Sequence, residues 1–346
     1  LAAGFFDKIR KVDLTAMPNH PPKPPRLAEL PRRRLPFLAI AAFILAVAVA
    51  APAKPQSGPQ SGSQSGLTGS VYQRAQDGAE EQGNAERIVA AALTGLGRAN
   101  SISARVRQLA RVGNVVLKGG GRYLQSGTGE EQRFRFESKL TAETEEFDVL
   151  EVNDGLYYWS YRKLGAQPPR LTRIDTRRVR ERLGSFGVPE QATAAPYLGG
   201  VQRSLALVRE WFRFDAVSSG MIDDVPIWTI DGQWDRDRLA ALLPDKAEAI
   251  KSPAGIAAGD LPEGMPWSVR LSIGKRELFP FRIEWLAIPG QRPVAATTPE
   301  VVAVLELYEV RVGDPVDATA FVYKPAIEGL MDVSENYSNA LQPLRP

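Results

Sequence analysis

Fifteen consecutive apolar residues, Phe37 to Ala51, follow Arg32, Arg33 and Arg34 and precede a stretch rich in Pro, Gly, Ser and Gln. A helix that is apolar all round must sit in lipid or in a large protein core. The run therefore divides the chain. A spanning helix needs about 20 apolar residues and about 17 at the least; Leu35 to Ala53 supplies nineteen positions without a charge. Pro36 and Pro52 fall where proline is tolerated, in the first turn and just past the end. Read as an anchor, the segment keeps the arginines on the cytoplasmic side and sends everything after Ala53 out of the cytoplasm. Small residues at Ala48-Val49-Ala50 and Ala51-Pro52-Ala53 leave a cleaved signal peptide open. Against cleavage stands a preceding region of more than 30 residues containing Pro21-Pro22-Lys23-Pro24-Pro25.

Four regions follow from composition. Residues 1–34 form a basic, Pro-rich tail, with eight Lys or Arg against three acidic residues, a net of +5; the whole chain is +3, so the remainder is −2. Basic residues beside a membrane segment point to anionic headgroups rather than nucleic acid. Residues 35–53 are the anchor or signal segment. Residues 54–76 read as a flexible linker, since KPQSGPQSGSQSG buries too little apolar area to fold. Residues 77–346 are the folded domain. With no cysteine in the chain, neither a disulfide nor a lipid anchor on cysteine is available, and the domain must stand on its own core.

Within the domain a helix is predicted from about Asp77, on the stripe Ile88, Ala91, Ala92, Leu96, ending at Gly95 and Gly97. The period then changes to two. Ile102, Ala104 and Val106 alternate with polar residues, as do Phe134 and Phe136, and Asn153-Asp154-Gly155 is a hairpin signal before Leu156 to Tyr161. Short helices are predicted at Thr176–Leu183, Leu198–Trp211 and around Ala240–Leu242. Strands resume at 211–217, 226–233, 267–273, 281–287, 301–310 and 318–323. The reading is a mainly β, α+β domain of about 10–11 antiparallel strands.

The only histidine, His20, lies in the tail, and no thiol exists. Ser-His-Asp and Cys-His catalysis and histidine or thiolate zinc sites are thereby excluded from the domain. Carboxylate pairs remain in principle. Asp223-Asp224 reads more simply as a turn, and Asp235 as a helix N-cap. No catalytic residue, metal site or cofactor is assigned. Aromatic residues are the better pointer. All six tryptophans fall in or beside predicted strands. An ordinary core explains most of them, but one face of a curved sheet can also line an apolar cavity. Phe134 with Phe136, Trp159 with Tyr161, Phe212 with Phe214, and Trp228 are the candidate lining residues.

Gly120-Gly121-Arg122-Tyr123-Leu124, the strand Arg133 to Leu140, and Asn153-Asp154-Gly155 running into Leu156-Tyr157-Tyr158-Trp159 resemble the first half of the LolA/LolB-like, outer-membrane lipoprotein-sorting family. Phe321-Val322-Tyr323-Lys324-Pro325-Ala326 with Gly329-Leu330-Met331-Asp332-Val333 resembles its closing strand, with Ala326 in place of a second proline. The resemblance implies a strongly curved antiparallel half-barrel with a helical lid over an apolar cavity for lipid or lipoprotein acyl chains. It implies a lid-locking arginine, for which Arg105 or Arg107 is the candidate. Joined to the apolar segment, it predicts a single-pass protein of a bacterial inner membrane with a periplasmic domain. That protein would hand over or sense a lipid, alone or with an envelope protein partner. A different class stays open: a structural or interaction module with a fully packed sheet.

Overall fold

The computed structural model describes residues 69–346, apart from 113–114, 143–144, 263, 289–298, 326–327 and 346. Helix α1 (Gly69–Arg98) leads into two meanders. The first comprises β1 (Ser101–Val112), β2 (Val115–Ser126), β3 (Arg133–Ala142), β4 (Glu145–Asn153), β5 (Tyr157–Leu164) and β6 (Arg170–Asp175). Three helices follow, α2 (Thr176–Gly184), α3 (Ala195–Leu198) and α4 (Gly200–Trp211). The second meander is β7 (Phe212–Ile222), β8 (Val225–Trp234), β9 (Ser268–Gly274), β10 (Pro280–Ala287) and β11 (Glu300–Val312), with α5 (Arg236–Leu242) and α6 (Ala247–Lys251) between β8 and β9. A short β12 (Leu330–Asp332) and α7 (Ser334–Ala340) complete the fold.

All twelve strands belong to one sheet, in the order β12-β6-β5-β4-β3-β2-β1-β11-β10-β9-β8-β7. Every pairing is antiparallel except β12 with β6. The two meanders meet where β11 returns beside β1, with Val106 opposite Leu307 and Ala110 opposite Ala303. Local chemistry fixes the turns. Asp154 Oδ1 accepts from the Leu156 and Tyr157 amides at 2.9 and 2.7 Å, and Gly155 takes φ 100°, closing the β4–β5 hairpin. Asp175 caps α2 and Asp235 caps α5, as side-chain oxygens do at helix starts. In β2, three glycines allow a close approach of its neighbours. A Cβ at Gly119, Gly120 or Gly121 would meet a carbonyl oxygen of Lys139, Val106 or Glu137 at 2.0, 2.3 or 1.8 Å.

Alternation along the strands sorts the side chains to two faces. The inner face carries Ile102, Ala104, Val106, Tyr123, Phe134, Phe136, Leu271, Ile283 and Leu305, all buried, under helices α1 and α4. The outer face carries Arg107, Arg122, Arg135, Arg270 and Arg282 with their acidic partners.

Two expectations are corrected here. The sheet is open, not a strongly curved half-barrel, and it has twelve strands. The two end strands do not pair with each other: β12 covers β6 at one end, and at the other β7 pairs with β8 alone among the described residues, with Glu86 of α1 accepting from its Phe214 amide at 3.3 Å. No helix among the described residues is long and apolar enough to cross a membrane. The segment Leu35–Ala53, on which the anchor expectation rests, lies outside the described residues, as do the tail and most of the linker. The single-pass, inner-membrane placement with a periplasmic domain is therefore withdrawn.

Candidate functional site

An apolar space lies between the inner face of the sheet and the start of α4. It is a cavity of about 40 Å³ lined by Phe136, Leu140, Val149, Glu151, Trp285 and Leu305, with Gly200 and Ser204 of α4 above. A volume of that size holds at most a few waters, while pockets for drug-sized ligands run to about 300–1,000 Å³. The sheet is close to fully packed here.

Glu151 sits at the centre of this region, 4% exposed, on an inner-face position of β4. One carboxylate oxygen accepts from the Gly200 amide at 2.9 Å and the other from Arg162 at 3.2 Å. Glu151 thus binds the first amide of α4, where helix N-termini favour negative charge. The approach depends on small residues. A Cβ at Gly199 would meet Glu151 Oε2 at 2.7 Å and the Tyr158 hydroxyl oxygen at 2.8 Å, and Gly200 takes φ 67° against the Phe134 ring. Burial pushes the Tyr158 hydroxyl well above its ordinary value, and the charge of Glu151 adds to that.

A second polar cluster ties the same helices down. Gln202 of α4, fully buried, donates through Nε2 to the side-chain oxygens of Gln125 and Gln132 at 3.0 and 2.8 Å. Gln125 in turn donates to the Leu96 carbonyl at the end of α1 at 2.8 Å, and the Tyr123 hydroxyl donates to Gln125 at 2.7 Å. Thr193 donates to Gln132 at 2.6 Å. Tyr337 of α7 donates to the Tyr197 carbonyl in α3. Gln202 Oε1 itself is buried without a hydrogen-bond partner among the described residues, so the cluster is only partly satisfied.

The structure divides the predicted lining residues between the faces. Phe134 and Phe136 are on the inner face, and only Phe136 lines the cavity. Phe212 and Phe214 are fully buried near the far edge, Phe212 against Trp234 with ring centroids 4.4 Å apart. Trp228 is partly buried under the Lys275 ammonium, 4.1 Å from its ring centroid. Trp159 and Tyr161 lie on the outer face. Trp159 donates from Nε1 to Asp154 at 2.9 Å and meets the Tyr323 ring at 6.0 Å. The C-terminal segment crosses there, with Phe321 buried and Arg135 donating to the Ala320 carbonyl at 3.1 Å. Arg105 does not reach the helices: it is 63% exposed on the outer face, 3.4 Å from Glu309, and Arg107 pairs with Glu306 beside it. Glu151 and Gln202 hold the helices instead. Glu151 was detectable in the sequence as a polar residue in step with the apolar inner positions of β4; Gln202 was not, being flanked by an ordinary helical stripe.

Carboxylates do not converge on a cleft. Asp223 and Asp224 form the β7–β8 turn at φ 45° and 65°. Asp231 and Glu284 are on the outer face, facing Arg270 between them in register, with Asp231 paired to it at 2.7 Å. No cluster of three or more His, Cys, Asp or Glu that could hold a metal occurs among the described residues.

No protein-family model matches the chain, and no curated protein matches it in sequence. Solved structures overlap it partially. MucB is 9% identical over 68% of this chain and 62% of its own, less than two thirds of its length, with a TM-score of 0.34. The lipoprotein LppX of Mycobacterium tuberculosis is 11% identical over 68% of this chain and 98% of its own, with a TM-score of 0.31. A LolA superfamily protein of Nitrosomonas europaea is 11% identical over 69% and 97%, with a TM-score of 0.22. At TM-scores this low, none of these likenesses assigns a fold or a function to this chain.

Proposed function

We propose that the chain is a non-catalytic binding protein, of the LolA/LolB-like kind that its sequence resembles, taking a lipid or lipoprotein acyl chain against the inner face of the sheet. The observation that carries this reading is the cavity between β1, β3, β4, β10, β11 and the start of α4, whose walls are mostly apolar. At about 40 Å³ it is the seed of a site rather than a site for a chain. Uptake requires α3 and α4 to move off the sheet, releasing Gly200 from Glu151 and Gln202 from Gln125 and Gln132. The return is the burial of the acyl chain, worth about 0.8 kcal/mol for each CH₂. Phe134, Phe136, Phe212, Phe214 and Trp228 are the proposed inner contacts, whereas Trp159, Tyr161 and Arg105 belong to the opposite face.

The small cavity also favours a second reading, an interaction module whose packed sheet takes no ligand. Native mass spectrometry of the full chain, with and without added acyl lipid, separates the two. The first reading expects a 1:1 adduct that becomes more abundant in Gln202→Ala, where the helices are tied less firmly. Absence of any adduct in both wild type and Gln202→Ala leaves the packed module standing.

A further inference from the structure

The two edges of the sheet are finished in different ways. At one edge, Leu330–Asp332 pairs in parallel with Leu171–Arg173, and Arg173 locks the pairing through Asp332 at 2.6 Å. At the other, β7 pairs with β8 alone. Helix α1 packs against β7, with Glu86 accepting from the Phe214 amide at 3.3 Å, and a register shift follows between Phe214 and Ala216. From Ala216 to Ile222 the strand has no partner on its outer side among the described residues. Ala216, Ser218, Ser219 and Met221 are exposed, Met221 at 61%. Proline, lysine and inward charges are the usual guards of an open edge, and these seven positions contain none of them.

Charge is instead placed at the two ends. Asp215 lies at one end and Asp223 and Asp224 at the other, all exposed and none in an ion pair among the described residues. The cations nearby are engaged. Arg270 is held by Asp231 at 2.7 Å, Arg213 by Asp235 at 2.6 Å, and Lys275 donates to Ser219 at 2.7 Å over the Trp228 ring. This arrangement discriminates between occupants. Antiparallel pairing of two copies centred on Ser219 would set Asp215 of each opposite Asp223 of the other. Like charges directly opposite destabilise a strand pair, so this register disfavours a second copy of the chain.

We infer that Ala216–Ile222 is a docking edge for an extended segment of another polypeptide carrying Lys or Arg at both ends. Backbone hydrogen bonds would supply the affinity, as in strand addition generally. The terminal aspartates would supply the selection, and because both ends are acidic the segment can run in either direction. This inference is independent of whether the inner face takes a lipid.

The absence of cysteine gives a direct test on the full chain. Ser218→Cys is placed on the edge, and Lys139→Cys, 81% exposed in the middle of the outer face, is the control. Each is offered two nine-residue peptides with a central cysteine in a Thr/Val background, one ended by lysines and one by glutamates. At low salt the edge cysteine is expected to capture the lysine-ended peptide at least about tenfold more efficiently than the glutamate-ended one. The preference should fall as salt screens the charges and invert in Asp215→Lys/Asp223→Lys. Melting curves report that each variant is folded. Equal capture of both peptides, a preference that survives the double reversal, or equal capture at Lys139→Cys overturns the inference. So does formation of Ser218→Cys homodimers in preference to peptide capture.

Discussion

The two faces of the sheet are built on opposite principles. The inner face excludes water over a continuous apolar layer and spends its few polar groups on tying helices to strands. Glu151 reaches Gly200, and Gln125 and Gln132 reach Gln202. The outer face is a ladder of ions. Arg107 and Arg282 share Glu306 at 2.9 and 2.7 Å, Arg122 and Arg135 share Glu137 at 2.6 Å each, and Arg270 meets Asp231. Most of these guanidinium groups remain well solvated. Cross-strand pairs of this kind contribute roughly 0.2–1 kcal/mol each. The outer ladder thus specifies strand neighbours, while the inner face supplies the stability.

The largest effect should come from truncating the inner layer. Phe214, fully buried, is expected to lose about 3–5 kcal/mol as Phe214→Ala, the usual cost of an aromatic core truncation. Arg270→Ala, on the outer face with a partner 37% exposed, should lose no more than about 1 kcal/mol. Urea denaturation of the two variants decides the matter. Similar midpoints would mean that the faces do not divide the work in this way.

Glu151→Ala tests the polar side of the inner face. It strands the Gly200 amide and leaves Arg162, 15% exposed, without its carboxylate. A loss of about 2–4 kcal/mol is expected, between that of breaking a buried pair and that of orphaning a buried donor. Glu151→Gln should recover part of it, since an amide oxygen can still accept from Gly200. No recovery in the glutamine variant would assign the loss to the ion pair rather than to the seat of α4.

Much of this division was legible in sequence, but not its orientation. The alternation of Phe134 and Phe136 identifies a strand with one apolar face, and Asn153-Asp154-Gly155 closes the predicted hairpin. Parity correctly groups Trp159 with Tyr161. It cannot say which face of the sheet they join, because Tyr158, Trp159 and Ser160 are all buried. The C-terminal segment covers the outer face there, and burial on both sides erases the polar-apolar signal. That segment was itself misread as a strand at 318–323. Asp317 accepts from the Thr319 amide at 2.9 Å and turns Ala318–Phe321 into a 3₁₀ turn. The three residues of β12 are too few to carry a period, so the covered edge left no trace. Arg105 illustrates a further limit: an arginine in an alternating strand reads equally as a lock for helices or as a rung of a surface ladder.

The smallest expected effect concerns the outer face where it turns into the β6 edge. The Ser334 hydroxyl and the Arg173 guanidinium hold the Asp332 carboxyl down to about 2, below its ordinary 3.8. The folded state therefore binds this proton less readily than the unfolded chain. Its contribution is complete above about pH 4 and is lost as pH falls through about 2. Because Asp332 is 46% exposed, solvent screening keeps that contribution small. The consequence should be local: amide protection at Leu330–Asp332 declines between pH 4 and 2 while protection of the inner strands persists. Asp332→Asn, which cannot titrate, should abolish the pH dependence at those amides and leave them weakly protected throughout. If protection at β12 and at the inner strands declines together, the covered edge is part of the same cooperative unit as the core. The contrast between the two faces would then stop short of this edge.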